Sequence, residues 1–376
     1  MSVAALTPQL PGHMYSALIV FHRWLALITG AILILIALSG SVLVFEGPIA
    51  AANVTHVAPG ARALSLDSLG ARAVSFIGSG DVIGVAPGRA ADEAFVIAVG
   101  SDTTERDLLV NPYSGQVLGP APGPSYLQLL VRRVHLFHTS LLGGSIGEGV
   151  VAFVTLASLV LVLTGLIVWW RDRLWRINWS ASWKRIVFDI HHALGVFAAL
   201  VLLIVTGTGV WMGYKHQIDP LVLALNSTAT PTGPPKLLPP VPGTKPISLD
   251  SVAALAHSAI PDAQILLMDL PEKSPVVLAL RHPEDHTPGG RSRVAIDRFR
   301  GTVLRAANTR TAQAGTRLMN IQRPLHTGDI LGPLGQIIWF LAAWILASQA
   351  VTGTTMWWNG RAARKSAARR ATPSVA

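Results

Sequence analysis

Four stretches of the chain, at 20–45, 149–170, 187–212 and 335–358, are almost continuously apolar. A bilayer core of roughly 30 Å takes about 20 helical residues to cross, so each stretch predicts a transmembrane helix. The first is followed by Ala50-Ala51-Ala52, which has the look of a leader cleavage site. Its apolar run exceeds the roughly 7–15 residues of a signal-peptide core, and it reads as a retained helix.

Between the spans, segments 46–134 and 213–320 break into short runs bounded by turn residues. Strand-like runs fall at 93–99 and 106–111 in the first segment, and at 263–268, 275–281 and 292–297 in the second. Each segment opens on a helix start, Ser65-Leu66-Asp67-Ser68 and Ser248-Leu249-Asp250-Ser251. Serine is the N-cap there and aspartate lies in the first turn. Each segment closes on a tight turn, Asn111 to Gly115 and Asp297 to Gly301, leading into a short strand. The pattern predicts an α-helical membrane protein, a four-helix bundle with two α+β modules, each one helix on an antiparallel sheet. Proline-rich stretches at 120–124 and 231–246 predict stiff linkers.

The halves repeat. His138-Thr139, Thr164-Gly165 and Trp169-Trp170 recur as His326-Thr327, Thr352-Gly353 and Trp357-Trp358, at one offset of 188 residues (138 to 326) without a gap. His22 and Ser39-Gly40 recur as His191 and Thr208-Gly209, at an offset of 169 (22 to 191). Helix, module, helix therefore occurs twice, an internal duplication. The resulting order is an N-terminal segment 1–17, span one at 18–45, module one at 46–134, and a His-bearing lead-in with span two at 135–170. A basic loop follows at 171–186, then span three at 187–212, module two at 213–320, a second lead-in with span four at 321–358, and a basic tail at 359–376.

Composition sharpens this. Of 376 residues 51% are hydrophobic and 13% charged, where a soluble protein carries roughly 25% charged. The net charge of +10 is concentrated at Arg171, Arg173, Arg176, Lys184 and Arg185 and in the tail from Arg361 to Arg370. Both clusters follow apolar runs directly, the positive-inside pattern of cytoplasmic segments, which points to membrane lipid and away from nucleic acid. Both termini are then expected inside and both modules outside. There is no cysteine, so disulfides, thiolate-held iron–sulfur clusters and covalent c-type haem are excluded. Nor is there a nucleotide-binding glycine loop, so electrons from NAD(P)H would need another protein.

Histidine is the candidate chemistry. One near a helix end is ordinarily a solvated side chain; four at equivalent places of a duplicated unit ask for a function. With alternating span direction, His22 and His191 fall near the inner face, and His138 and His326 near the outer. Two neutral imidazoles from facing helices suit bis-axial ligation of a b-type haem. Two choices stay open: His135 lies one turn before His138, and His192 stands beside His191. Gly30, Gly40, Gly165, Gly195, Gly207, Gly209 and Gly353 would admit a flat macrocycle, or serve ordinary helix packing. Arg132, Arg133 and Arg323 suit haem propionates or an anionic substrate. His282 and His286 sit in a hydrophilic hairpin expected to be a mobile, solvated turn, and His13, His56, His216 and His257 show no partner.

His22-Arg23-Trp24-Leu25, the Ser/Thr-Gly pairs and the two turns give the chain, over about 15–360, a specific resemblance. It resembles the PepSY-associated transmembrane family, with modules like PepSY domains. That family includes iron-regulated inner-membrane proteins and a dihaem ferric-siderophore reductase. The resemblance implies two haem b groups on His22/His191 and His138/His326. It also implies a bacterial inner-membrane location and electron flow from quinol or a cytoplasmic donor to a periplasmic ferric siderophore. Tyr126, Arg132, Arg133 and Arg323 are then candidates for the docking surface. Two other functions fit the same sequence: a haem-free scaffold whose modules bind a periplasmic partner, and a component that carries an intact siderophore inward.

Overall fold

The computed structural model describes residues 11–52, 54–101, 104–229, 235, 243–271 and 275–371. The helices are α1 (Gly12–Leu43), α2 (Glu46–Ala51), α3 (Leu66–Ile77), α4 (Tyr126–Ser140), α5 (Gly144–Asp172), α6 (Trp183–Gly213), α7 (Lys215–Leu225), α8 (Leu249–Ala259), α9 (Ala314–Thr327) and α10 (Gly332–Ala371). The strands are β1 (Asp81–Ala86), β2 (Phe95–Ser101), β3 (Thr104–Val110), β4 (Val117–Pro120), β5 (Gln264–Asp269), β6 (Val276–Arg281), β7 (Ser292–Asp297) and β8 (Thr302–Ala307). They form two compact units. One holds the described parts of Met1–Glu46, Leu130–Ile218 and Gln322–Ala376, and the other Gly47–Leu129 and Asp219–Ile321.

The first unit is the bundle. Four helical segments of 28 to 36 residues are long and apolar enough to cross a membrane: Gly12–Leu43, Gly144–Arg171, Trp183–Gly213 and Asp329–Arg364. They overrun the expected limits. α1 starts straight after Pro11, which has no N–H to extend the ladder backward. α10 runs on through an Ala- and Arg-rich tail of good helix formers. α1 packs on α5 and α10, and α6 packs on the same two, closing a ring. Its core comprises Leu33, Ile36 and Val154 in one cluster and Ala198, Leu202 and Ala342 in another. Buried hydroxyls return to their own helix: Thr29 Oγ1 donates to Leu25 O at 2.8 Å and Ser158 Oγ to Val154 O at 2.8 Å. A backbone without water nearby needs its polar neighbours satisfied internally in this way.

The second unit joins the two modules. Their strands make one antiparallel eight-stranded sheet in the order β4-β3-β2-β1-β5-β6-β7-β8. The seam is β1 against β5, with Gly84 opposite Asp269 and Val85 opposite Met268. β1 was not among the expected strands. It is short and interrupted by Gly84, and one of its two neighbouring strands comes from the other module. Both seam strands carry a register shift, Val82/Gly84 and Ile265/Leu267. The expected caps and turns are present: Ser65 Oγ accepts from Ser68 N at 3.2 Å and Ser248 Oγ from Ser251 N at 3.1 Å. Asn111 and Asp297 each accept two backbone N–H groups of their turn, and Gly115 and Gly301 supply φ of 72° and 63°.

A cross-over of carboxylates ties the two helices. Asp250 accepts from Leu66 N at 2.9 Å and Asp67 N at 3.1 Å, while Asp67 accepts from Leu249 N at 2.8 Å and Asp250 N at 3.3 Å. Each module's aspartate thus caps the other module's helix, satisfying N–H groups that a helix start leaves orphaned. Two expectations change. Pro120 belongs to β4 and not to a linker, whereas most of 231–246 lies outside the described residues. The His282 hairpin is solvated only in part: His286 is exposed, but His282 is not. His282 is fully buried, its Nε2–H donates to Asn308 Oδ1 at 3.0 Å, and Arg310 clasps Glu284 at 2.6 Å. Burying an imidazole requires such partners.

Candidate functional site: four oriented histidines

The four histidines share one hydrogen-bond scheme. His22 Nδ1 meets Thr164 Oγ1 at 2.7 Å, and His191 Nδ1 meets Thr352 Oγ1 at 2.9 Å. His138 Nδ1 meets Ser39 Oγ at 3.1 Å, and His326 Nδ1 meets Thr208 Oγ1 at 3.0 Å. In every case the partner is the hydroxyl of a Ser/Thr-Gly pair on another helix of the bundle. The glycine then lets the ring approach. A Cβ built on Gly40 would stand 2.9 Å from His138 Cε1, and on Gly209 3.3 Å from His326 Cε1. On Gly165 and Gly353 it would meet the rings of His22 and His191 at 3.4 and 3.5 Å. Gly30 and Gly195 line a cavity, and Gly207 faces open space.

The hydroxyls settle the tautomer. Each donates its own proton to a carbonyl four residues back: Thr164 to Val160, Thr352 to Ser348, Ser39 to Leu35 and Thr208 to Ile204, at 2.6–2.8 Å. The oxygen is left only as an acceptor, so Nδ1 carries the imidazole proton. His138 and His326 also have carbonyl acceptors, Ile36 O at 3.0 Å and Val205 O at 3.1 Å. Nε2 therefore presents a bare lone pair at all four positions, and among the described residues no protein group hydrogen-bonds to it. A histidine that ligates through one nitrogen is characteristically held through the other.

The outer two face each other. The His138 and His326 ring centroids are 6.3 Å apart with planes tilted by 52°. Ring nitrogens bind first-row metals at about 2 Å. An imidazole with bonds near 1.33 Å has its centroid roughly 1.1 Å behind the nitrogen. Two rings on one iron would thus have centroids about 6.2 Å apart, close to what is observed. The inner two, His22 and His191, line a cavity of about 400 Å³ with Gly30, Gly165, Gly195 and Gly353 among its walls. His22 and Ser39 are 17 residues apart on α1 (22 to 39), as are His191 and Thr208 on α6 (191 to 208). At 1.5 Å per residue the inner and outer pairs are separated by about 25 Å along the helices.

The competing residues behave differently. His192 turns its Nδ1–H back to Phe188 O at 2.9 Å in its own helix and lies against the Phe188 ring, centroids 4.0 Å apart. His135 Nδ1 lies 3.5 Å from Glu46 Oε2, and Arg323, its counterpart in the second half, reaches the same oxygen at 3.8 Å. The His135 hydrogen bond and the two positive neighbours hold the Glu46 carboxyl below its usual range, against burial that pushes it up. Glu46 escaped notice in the sequence because it follows span one with no motif around it. Arg132 and Arg133 are exposed, and Tyr126, 83% exposed, belongs to the module unit. Of the leftover histidines, His56 pairs with Asp92 at 2.9 Å. Among the described residues no cluster of three or more His, Cys, Asp or Glu could hold a metal by side chains alone.

A four-helix transmembrane bundle built from a duplicated unit, with two periplasmic mixed α/β modules, defines a class of multi-pass membrane protein. Within it the chain belongs to a known family: residues 20–359 match the one described as PepSY-associated TM region. No curated protein matches the chain.

Proposed function

We propose that this PepSY-family membrane protein is a dihaem b electron-transfer protein, with one haem between His22 and His191 and the other between His138 and His326. The observation that supports it is the fourfold presentation of a neutral Nε2, each ring locked through Nδ1 by a hydroxyl on another helix. The donor set fits the group: a macrocycle fills four positions of iron, so two imidazoles complete it, and no larger side-chain cluster is needed. When bound, such a group takes up and gives out single electrons. The chain's part is to fix ring orientation through Thr164, Thr352, Ser39 and Thr208, to exclude water with the apolar bundle, and to space the two pairs about 25 Å apart along the helices. In keeping with the resemblance, electrons would pass from quinol or a cytoplasmic donor to a ferric siderophore in the periplasm. Fe(II) is held less tightly than Fe(III) by hard oxygen donors, so reduction would free the iron.

A haem-free scaffold whose modules bind a periplasmic partner needs nothing beyond the family and its modules. That no cluster of three or more His, Cys, Asp or Glu is found among the described residues is accommodated by this reading without further assumption. A reduced-minus-oxidised spectrum of the purified protein separates the two. Two b-type α bands are expected, one lost in His22→Ala or His191→Ala and the other in His138→Ala or His326→Ala. A colourless, folded protein from haem-replete cells sinks the electron-transfer proposal and leaves the scaffold.

A further inference from the structure

We infer that Arg23 is a built anchor for an acidic group inside the inner cavity, and that it fixes which way round the cavity's occupant lies. The inference rests on the dihaem proposal, whose inner site it deepens. Arg23 lines the same cavity as His22 and His191, and its Nε is buried without a hydrogen-bond partner. Gln349 also lines it, and its Nε2 is equally buried and unpartnered. The lining residues include no aspartate or glutamate. A guanidinium N–H and an amide N–H buried beside a cavity without a carboxylate are complementary to an occupant that brings its own acceptors, and a negative one above all.

The duplication isolates the feature. Arg23 occupies the place of His192 in the other half, at the same offset that relates His22 to His191. His192 satisfies itself on Phe188 O, so the counterpart position offers no equivalent buried donor. Leu161, also in the wall, is the counterpart of Gln349 at the offset of 188 (161 to 349). Both orphaned donors therefore come from one half each, without a mirrored partner, and an occupant with one acidic edge lies in a single orientation. The chemical class is a flat apolar ring with carboxylates at one edge, its body against the glycine-lined walls and its acidic edge on Arg23. An anionic lipid headgroup offers the same charge without the ring.

The test uses the full-length protein in nanodiscs and compares wild type with Arg23→Gln, which keeps N–H donors but removes the charge, and Arg23→Lys, which keeps the charge but loses the fork. Haem per chain and the midpoint potential of each centre are read by spectroelectrochemical titration. In Arg23→Gln the inner centre is expected to shift to lower potential and to lose haem on dilution, with the outer centre unchanged. Arg23→Lys should restore most of the potential. If wild type carries two haems and Arg23→Gln matches it in both potentials and in haem retention, the inference is overturned and the dihaem proposal stands. Loss of a co-purified anionic lipid with both potentials unchanged assigns Arg23 to a headgroup and overturns it likewise. A wild type without haem overturns the dihaem proposal and this inference together.

Discussion

Replacing Asp250 with alanine tests the crossed carboxylates directly, because the damage is expected in the helix that does not contain the substitution. Asp250 accepts the N–H groups of Leu66 and Asp67 at 2.9 and 3.1 Å, at the start of α3. Its own helix, α8, keeps the acceptors Ser248 and Asp67. Loss of an N-cap acceptor costs about 0.5–2 kcal/mol. Two bonds to a carboxylate would exceed that, but the site is partly exposed and screened, and Ser65 still caps Ser68. The expected loss is about 1–2 kcal/mol, which is about 5- to 30-fold in an opening equilibrium.

Hydrogen exchange by mass spectrometry on the full-length protein reads this peptide by peptide. In Asp250→Ala, exchange at 66–68 should accelerate by that factor, with a smaller change at 249–251. Asp67→Ala should show the mirror image. Acceleration confined to the substituted helix would refute the crossed arrangement. Acidity should reproduce the effect. Burial pushes the Asp67 carboxyl up, yet the hydrogen bond it shares with the Asp250 carboxyl and those from the Leu249 amide, the Ser248 side chain and the Asp250 amide leave it below its ordinary value. A depressed carboxyl stabilises the fold fully above its unfolded pKa, about 3.9. That contribution is lost as pH falls through the lower folded value. Protection at the α8 start, 249–251, which Asp67 caps, should therefore hold at neutral pH and fade below about pH 4.

Three further outcomes follow, the first two from the dihaem proposal and the third from the bundle alone. Thr164→Val removes the one acceptor that the described residues offer the His22 Nδ1–H and leaves that donor buried at about 1–3 kcal/mol; Ser39→Ala leaves His138 its Ile36 carbonyl, so inner-centre haem content should fall more than outer. Gly40→Ala puts a methyl 2.9 Å from His138 Cε1 and forces the ring back by about 0.5 Å to ordinary contact, whereas Gly353→Ala meets His191 at 3.5 Å; the outer α band should broaden in the first, and the inner band should be unchanged in the second. Asp189, 1% exposed, holds Arg185 at 2.7 Å and Asn178 N at 3.1 Å; Asp189→Ala should loosen the 171–186 loop by about 2–3 kcal/mol, less than for a fully buried pair, and speed tryptic cleavage there several-fold, and equal cleavage rates would count against it.

The spans, the serine caps and the Asx turns were legible because each is a local signal: twenty apolar residues, a hydroxyl before a helix, a glycine four residues after Asn111 or Asp297. What the sequence hid is what depends on a partner far along the chain. β1 makes sense only beside β5, and Asp67 only beside Asp250. The Ser/Thr-Gly pairs were visible as landmarks at the same offsets as the histidines, but nothing local says that Thr164 meets His22 and not another ring. Glu46 was invisible for the same reason, since its partners His135 and Arg323 arrive from two other segments.

Duplication explains why these hidden contacts bring like together with like. Within each unit a residue lies beside its own copy: one aspartate per module becomes a reciprocal cap, and one histidine per lead-in becomes a facing pair 6.3 Å apart. Symmetry supplies the pair from one residue in the ancestral unit. Departures from symmetry then show where the two copies must differ. His135 and Arg323 occupy matched positions, yet both reach a single carboxylate, Glu46, whose own counterpart is Lys215. Arg23 opposite His192 and Gln349 opposite Leu161 place two unpartnered donors in the inner cavity with no mirrored equivalents. A symmetric ligand pair needs no such asymmetry; the occupant with one acidic edge proposed above would, because two equivalent cradles would leave its orientation undetermined.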